Sequence, residues 1–186
     1  MTQVRNLEEK TIASETIFEG RVVRLQIDRV ELPDGGTSTR EIVKHPGAVS
    51  VLAVTEENKL VMVRQFRKPL EKTILEIPAG KLEAGENPAD CAMRELEEET
   101  GYRAEKIEHV VSFYTSPGFA DEYLHIYRAN GLSKGEARLD QDEFVELVEL
   151  TLDECLERIA AGEICDAKTV AAVYLWQNQV LRGRSV

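Results

Sequence analysis

Residues 80–102, GKLEAGENPADCAMRELEEETGY, constrain this chain more than any other stretch. Asn87 is a favoured helix N-cap, Pro88 suits the first helical position, and Asp90 puts negative charge in the first turn. Gly101 stands where a left-handed residue closes a helix. The spacing therefore predicts a helix from about Pro88 to Thr100. At about 100° per residue, Glu95, Glu98 and Glu99 share one face. Ala89, Ala92, Met93 and Leu96 form a neighbouring apolar stripe suited to docking on a sheet. Glu97 points away from the acidic face and is expected in solvent.

Seven carboxylates against two cations give this stretch close to half of the chain's net charge of −11. Like charges four residues apart destabilise a helix, and glutamates near its C-terminus oppose the macrodipole. One reading is a solvated acidic face, the common fate of glutamate runs. The other is a set of carboxylates gathered for a divalent cation. Hard divalent cations such as Mg²⁺ bind through one or two carboxylates plus substrate phosphate oxygens, keeping several waters.

The rest of the composition narrows the field. A chain of 186 residues, 42% hydrophobic and 31% charged, has the makings of one soluble core. No apolar run approaches membrane-spanning length, so no membrane partner is expected. The leading MTQVRNLEEKT lacks the hydrophobic core of a signal peptide, and a cytoplasmic location is expected. Cys91, Cys155 and Cys165 are dispersed and have neither disulfide nor zinc spacing. A pI near 4.9 argues against nucleic acid as a partner, since phosphate backbones are met by clustered Lys and Arg.

Along the chain, residues 11–45 read as β structure. Val23, Leu25 and Ile27 alternate, and the pattern then slips to Val30 and Leu32 as a bulge or bend would allow. Pro33–Gly36 supplies a turn before a returning strand. Strand-like segments follow as AVSVLAVT, KLVMVRQF and TILEI, then HVVSFY and EYLHIYRA beyond the acidic helix, and EFVELVEL at 143–150. Two helices close the chain, one from near Thr151 to Gly162, the other from about Ala167 to Leu181. Trp176 in the last helix reads as core or subunit packing. His45, His109 and His125 are far apart in sequence and show no metal spacing. Ser116 has no plausible His–Asp set, which disfavours a serine hydrolase.

The fixed points of the acidic stretch match a known signature. Gly80, Glu86, Arg94, Glu95, Leu96, Glu98, Glu99 and Gly101 fall at the spacings of the Nudix box; only Tyr102 departs, where an aliphatic residue is usual. IVKHPGAV, RQFRKPLEKTILEIPAGKLE and YTSPGFADE extend the likeness over most of the chain. Pro117, sixteen residues beyond Gly101, is typical of one branch. The chain thus resembles the bacterial ADP-ribose pyrophosphatases of the Nudix hydrolase superfamily. The fold this implies is α+β, an α/β/α sandwich with a mixed sheet over 46–186 carrying the box at 80–102. A small N-terminal antiparallel β subdomain over 1–45 precedes it, with dimerisation as its implied role.

The resemblance implies metal-dependent hydrolysis of the diphosphate of ADP-ribose to AMP and ribose 5-phosphate. Related branches take other nucleoside diphosphate sugars such as GDP-mannose, and a Nudix module that senses a nucleotide without turnover is a third possibility. Carried onto this sequence, Glu95 and Glu99 would hold the principal Mg²⁺, or Mn²⁺, with the Ala79 carbonyl. Glu98 would reach a second ion, Arg94 would hold the box together by pairing with carboxylates such as Glu86, and Gly80 would allow a tight turn. A later loop would supply Glu143, with Asp142 adjacent, as ligand or water-activating base. Arg64, Phe66 and Arg67 would meet the substrate's diphosphate and base. Arg40 matches a position near the adenine-binding region, and Ser116 and Glu122 a segment near the terminal ribose. For each arginine the alternative is a surface ion pair. A homodimer is implied, with Leu25, Ile27 and Val30 near its interface.

Overall fold

A computed structural model describes residues 6–139 and 144–183. Its chain path divides into two compact units. The first runs to Gly47 and takes in Tyr114–Tyr123; the second comprises Ala48–Phe113 and the chain from Leu124 onward.

The first unit is a three-stranded antiparallel sheet of β1 (Lys10–Glu19), β2 (Arg24–Glu31) and β3 (Thr37–Lys44), in that order. Gly35, at φ 85°, makes the turn between β2 and β3. The slip expected in β2 is not there. β2 pairs with β3 without interruption from Arg24↔Lys44 to Glu31↔Thr37. The irregularities lie instead in β1, between Thr11 and Ala13 and between Thr16 and Phe18. Period-two alternation then puts Gln26, Asp28 and Val30 on the buried face, where the Gln26 amide donates to Asp28 at 2.9 Å. Polar residues were able to take that face because they satisfy one another. All ten residues of β1 are exposed, including Ile12, Ile17 and Phe18.

Residues 114–123 belong to this first unit through the edge of β3. Val43 donates to the Phe119 carbonyl at 2.8 Å, Asp121 donates to the Val43 carbonyl at 3.2 Å, and Lys44 pairs with Asp121 at 2.9 Å.

The second unit holds β4 (Ala48–Ala53), β5 (Lys59–Arg67), β6 (Lys72–Glu76), β7 (Ala79–Lys81), α1 (Pro88–Thr100), β8 (Tyr102–Tyr114), β9 (Tyr123–Lys134), β10 (Val145–Thr151), α2 (Leu152–Ala160) and α3 (Ala167–Leu181). Two sheets form, in the orders β7-β4-β9-β8 and β10-β5-β6. The first is mixed, since β4 runs parallel to β9 and antiparallel to β7.

β4 is buried at every position, which is why it reads as a continuous apolar run. Its alternate residues face two different cores. Ala48 and Leu52 join Met62, Ile77, Ile126, Val173 and Trp176 beneath α2 and α3. Val49, Val51 and Ala53 join Val61, Tyr127, Cys91, Ala92 and Leu96 beneath α1. Helices therefore cover both faces, giving the α+β sandwich. Leu96 is fully buried and anchors α1, so truncation to Ala would cost about 2–5 kcal/mol. Trp176 lies in the core. Among the described residues, no helix is long and apolar enough to cross a membrane.

Candidate active site

The acidic helix forms with the predicted ends. Asn87 accepts a hydrogen bond from Ala89 N at 2.8 Å, and Gly101 closes the helix at φ 74° with its N–H on the Glu97 carbonyl. The docking face differs by one side chain from expectation. Cys91 is buried with Ala92 and Leu96, while Met93 is turned out to solvent. Cys91 and Met93 flank the buried arc on opposite sides, and it is the Cys91 side that packs on Val49 and Val51 of β4. Glu97 is half-buried and paired with Arg103 at 2.6 Å, because the chain reverses at Gly101 and brings Arg103 back alongside the helix.

Arg94 is the hub of the site. Its guanidinium donates to Glu86 at 3.0 and 3.2 Å, to Glu95 at 2.8 Å and to Glu98 at 2.9 Å. Hydrogen bonding to Glu86 is the leading cause that holds Arg94 protonated far above its ordinary range, with burial opposing and Glu95 and Glu98 adding to the effect. In return the Arg94 guanidinium, helped by the Glu83 backbone N–H, holds the Glu86 carboxyl down at about 2. Arg94 thus bridges the carboxylate ahead of the helix to two carboxylates on it.

Glu99 is 4% exposed and accepts from Ala79 N at 3.1 Å, tying α1 to β7. Glu95 lies against Gly80: a Cβ at residue 80 would come within 1.9 Å of the Glu95 Cδ. Gly80 sits in β7 outside the left-handed region, so glycine is needed there for close approach and not for the tight turn anticipated.

The structure thus brings Glu86, Arg94, Glu95 and Glu98 together, with Glu99 and Ala79 joined to each other on the same end of the helix. Among the described residues, no three carboxylate, imidazole or thiol groups are placed to hold a metal ion together, and Arg94 occupies oxygens of Glu95 and Glu98. The donor chemistry nonetheless suits a hard divalent ion. It consists of carboxylate oxygens on one helix face, set over a glycine whose missing side chain gives Glu95 its room.

The other expected residues are distributed as follows. Arg67 makes a two-pronged pair with Glu76, Nε to Oε1 at 2.6 Å and Nη2 to Oε2 at 3.0 Å. Arg64 pairs across strands with Glu146 at 3.0 Å, and Phe66 between the two arginines is exposed. In the first unit, Arg40 pairs with Glu9, its Nε at 2.8 Å from the carboxylate. Ser116 caps a turn, its carbonyl accepting from Phe119 and Ala120, and Glu122 accepts from the Thr115 hydroxyl. Glu143, with Asp140 and Asp142, lies outside the described residues.

Two groupings were not anticipated. His109 and His125, though far apart in sequence, both hydrogen-bond Ser112 at 2.7 Å because β8 and β9 are neighbours. Tyr102, the departure from the box pattern, donates its hydroxyl to Glu149 at 2.7 Å. An aliphatic side chain would take that hydrogen bond from a partly buried carboxylate that also pairs with Lys134.

The chain resembles known proteins over most of its length. Residues 44–173 match the family described as NUDIX domain, and residues 9–43 match the nucleoside diphosphate sugar hydrolase N-terminal domain. The chain is 66% identical over 180 residues to the methanol dehydrogenase activator of Bacillus methanolicus, covering 95% of this chain and 97% of the relative. It is 57% identical over 184 residues to the ADP-ribose pyrophosphatase of Bacillus subtilis (strain 168), covering 97% of this chain and all of the relative. A solved structure described as an ADP compounds hydrolase superposes with a TM-score of 0.84 over 96% of this chain and 97% of its own; at 20% identity this bears on the fold. With a capped acidic helix bearing the full set of box carboxylates, and a family match across more than half its length, this chain belongs to the Nudix family.

Proposed function

We propose that this protein hydrolyses ADP-ribose to AMP and ribose 5-phosphate, using Mg²⁺ or Mn²⁺. The observation that carries this reading is the 57% identity to an ADP-ribose pyrophosphatase across both the N-terminal segment and the box. Glu95 and Glu99, with the Ala79 carbonyl, would hold the principal ion and Glu98 a second. When bound, such ions neutralise diphosphate oxygens and acidify water. The chain's own groups do the rest. Arg67 and Arg64 offer guanidinium donors to the diphosphate, and Phe66 offers an aromatic face for the base. Arg40, Ser116 and Glu122 bind the nucleoside and ribose ends. Glu143 accepts a proton from the attacking water as its oxygen bonds to one phosphorus and the bridging P–O bond breaks. Two phosphomonoesters leave.

The active form in this reading is a cytoplasmic homodimer. The exposed strand β1, on which Ile12, Ile17 and Phe18 each show about half of their surface, supports a subunit contact there, whereas Val30, expected near the interface, is buried within its own subunit. Sedimentation at micromolar concentration tests it, and a monomer would reject it.

Nucleotide release from ADP-ribose, GDP-mannose and NADH, with Mg²⁺ and with chelator, tests the activity. Fast metal-dependent AMP release from ADP-ribose is expected. GMP release from GDP-mannose at a higher rate would transfer the same chemistry to another sugar nucleotide. Silence across the panel would favour a nucleotide sensor. The 66% identity to a methanol dehydrogenase activator favours a second reading, activation of a dehydrogenase. Measuring the rate of a methanol dehydrogenase with and without added protein tests that directly.

A further inference from the structure

Glu76 is a carboxylate only 2% exposed, at the end of β6 and three residues before Ala79. Two cations converge on it. Arg67 occupies both its oxygens, and Lys168, from the first turn of α3, bonds Oε2. Lys168 also bonds Asp166 at 2.9 Å. Asp166 is the N-cap of α3 and accepts from Thr169 N at 3.1 Å, while the Thr169 hydroxyl accepts from Ile77 N at 3.1 Å. The first turn of α3 therefore grips the side chain of residue 76 and the backbone of residue 77 together.

Buried ion groups contribute little net stability, because desolvation offsets most of their attraction. Fixed geometry is what such a quartet does supply. Burial works against the charge on Arg67, and Glu76 outweighs it, with Glu99 and Asp166 adding to the effect. Through Glu76, Arg67 is tied to the chain just ahead of Ala79, whose N–H bonds the box carboxylate Glu99, and the Arg67 side chain is 38% exposed. Its Nε–Nη2 edge is taken by Glu76, and among the described residues its Nη1 makes no hydrogen bond. The guanidinium is clamped along one edge and presents the other, which is the geometry that suits a two-pronged phosphate contact.

We propose that Glu76 and Lys168 are positioning residues that hold the Arg67 guanidinium edge-on to the substrate's diphosphate. The inference rests on the diphosphate-hydrolase reading of the site. Neither residue touches substrate. Glu76 acts through Arg67, and Lys168 acts through Glu76.

The test uses Glu76→Gln, Lys168→Met, Lys168→Arg and Arg67→Ala, alone and with Glu76→Gln combined with Arg67→Ala. Steady-state kinetics on ADP-ribose is read beside calorimetric binding of inorganic diphosphate with Mg²⁺. Glu76→Gln should raise KM about tenfold and weaken diphosphate binding to match, with kcat changed less than about threefold. Lys168→Met should act in the same direction more weakly, and Lys168→Arg should restore it. In the Arg67→Ala background, Glu76→Gln should add nothing. A full additional effect there would overturn the proposal. So would an unchanged KM and diphosphate affinity in Lys168→Met, a variant that keeps the Glu76–Arg67 pair should Glu76→Gln fail to fold. If the protein binds diphosphate with this pattern yet releases no AMP from ADP-ribose, the substrate assignment fails and the positioning role stands.

Discussion

The Glu95 side chain lies across Gly80 so closely that a Cβ there would fall 1.9 Å from its Cδ. The atoms in the way are the far end of a flexible side chain and not backbone. Alanine at residue 80 should therefore displace Glu95 and leave the sheet in place. Gly80→Ala is expected to lower kcat/KM on the order of 100-fold with a melting temperature within a few degrees of the parent. Unaltered kcat/KM would remove Glu95 from the metal set.

Of Glu95, Glu98 and Glu99, Glu99 is the buried one, and it accepts from the backbone N–H of Ala79. Glu99→Gln keeps an oxygen for that bond and removes the charge. Metal-dependent turnover should fall on the order of 10²–10³-fold while the far-ultraviolet circular dichroism stays unchanged. Near-parental turnover would contradict the role assigned to Glu99.

Acid stability should report on the Arg94 hub. The folded-state value of Glu86, about 2, lies below the ordinary carboxylate value of about 4.3. Its contribution is thus fully present above the higher value and lost as pH falls through the lower one. In urea unfolding, the parent should exceed Glu86→Gln in stability at pH 6, and the difference should shrink by pH 3. A gap that is constant with pH would show that the Glu86 charge is not what matters.

Thiol chemistry gives an independent check on packing. Burial pushes the Cys91 and Cys155 thiols up to about 12, whereas Cys165 is exposed. Native protein at pH 8 should show one fast-reacting thiol with Ellman's reagent, assigned to Cys165 by its loss in Cys165→Ser. Full reactivity should need denaturant. Rapid native labelling of Cys91 would mean that α1 is not seated on β4.

The ends of α1, α2 and α3 were legible because caps are local: Asn87, Gly101, the Thr151–Glu154 capping box and Asp166 each act within a few residues. The acidic face was legible for the same reason, as it needs only the helical period. What escaped depends on partners distant in the chain. His109 meets His125 only once β8 and β9 lie side by side, and residues 114–123 join the first unit through contacts with β3 and His45, some seventy residues earlier. Glu76 finds Lys168 ninety-two residues away. The misplaced slip in β2 came from counting apolar residues alone, when Gln26 and Asp28 had made a buried face by bonding each other. Met93 and Cys91 exchanged places because periodicity assigns a face to about one residue and packing decides the rest.

Arg94 also changes what losing a metal would mean for this protein. A divalent ion held by Glu95 and Glu98 would have to compete with a cation already tethered to the same helix, and on its loss those oxygens would return to the guanidinium. Measured metal affinity is then an exchange constant that carries the strength of the arginine pairs within it. The chain keeps a counter-ion of its own in reserve, so depletion by chelator should leave it folded and idle, ready to resume when the ion returns.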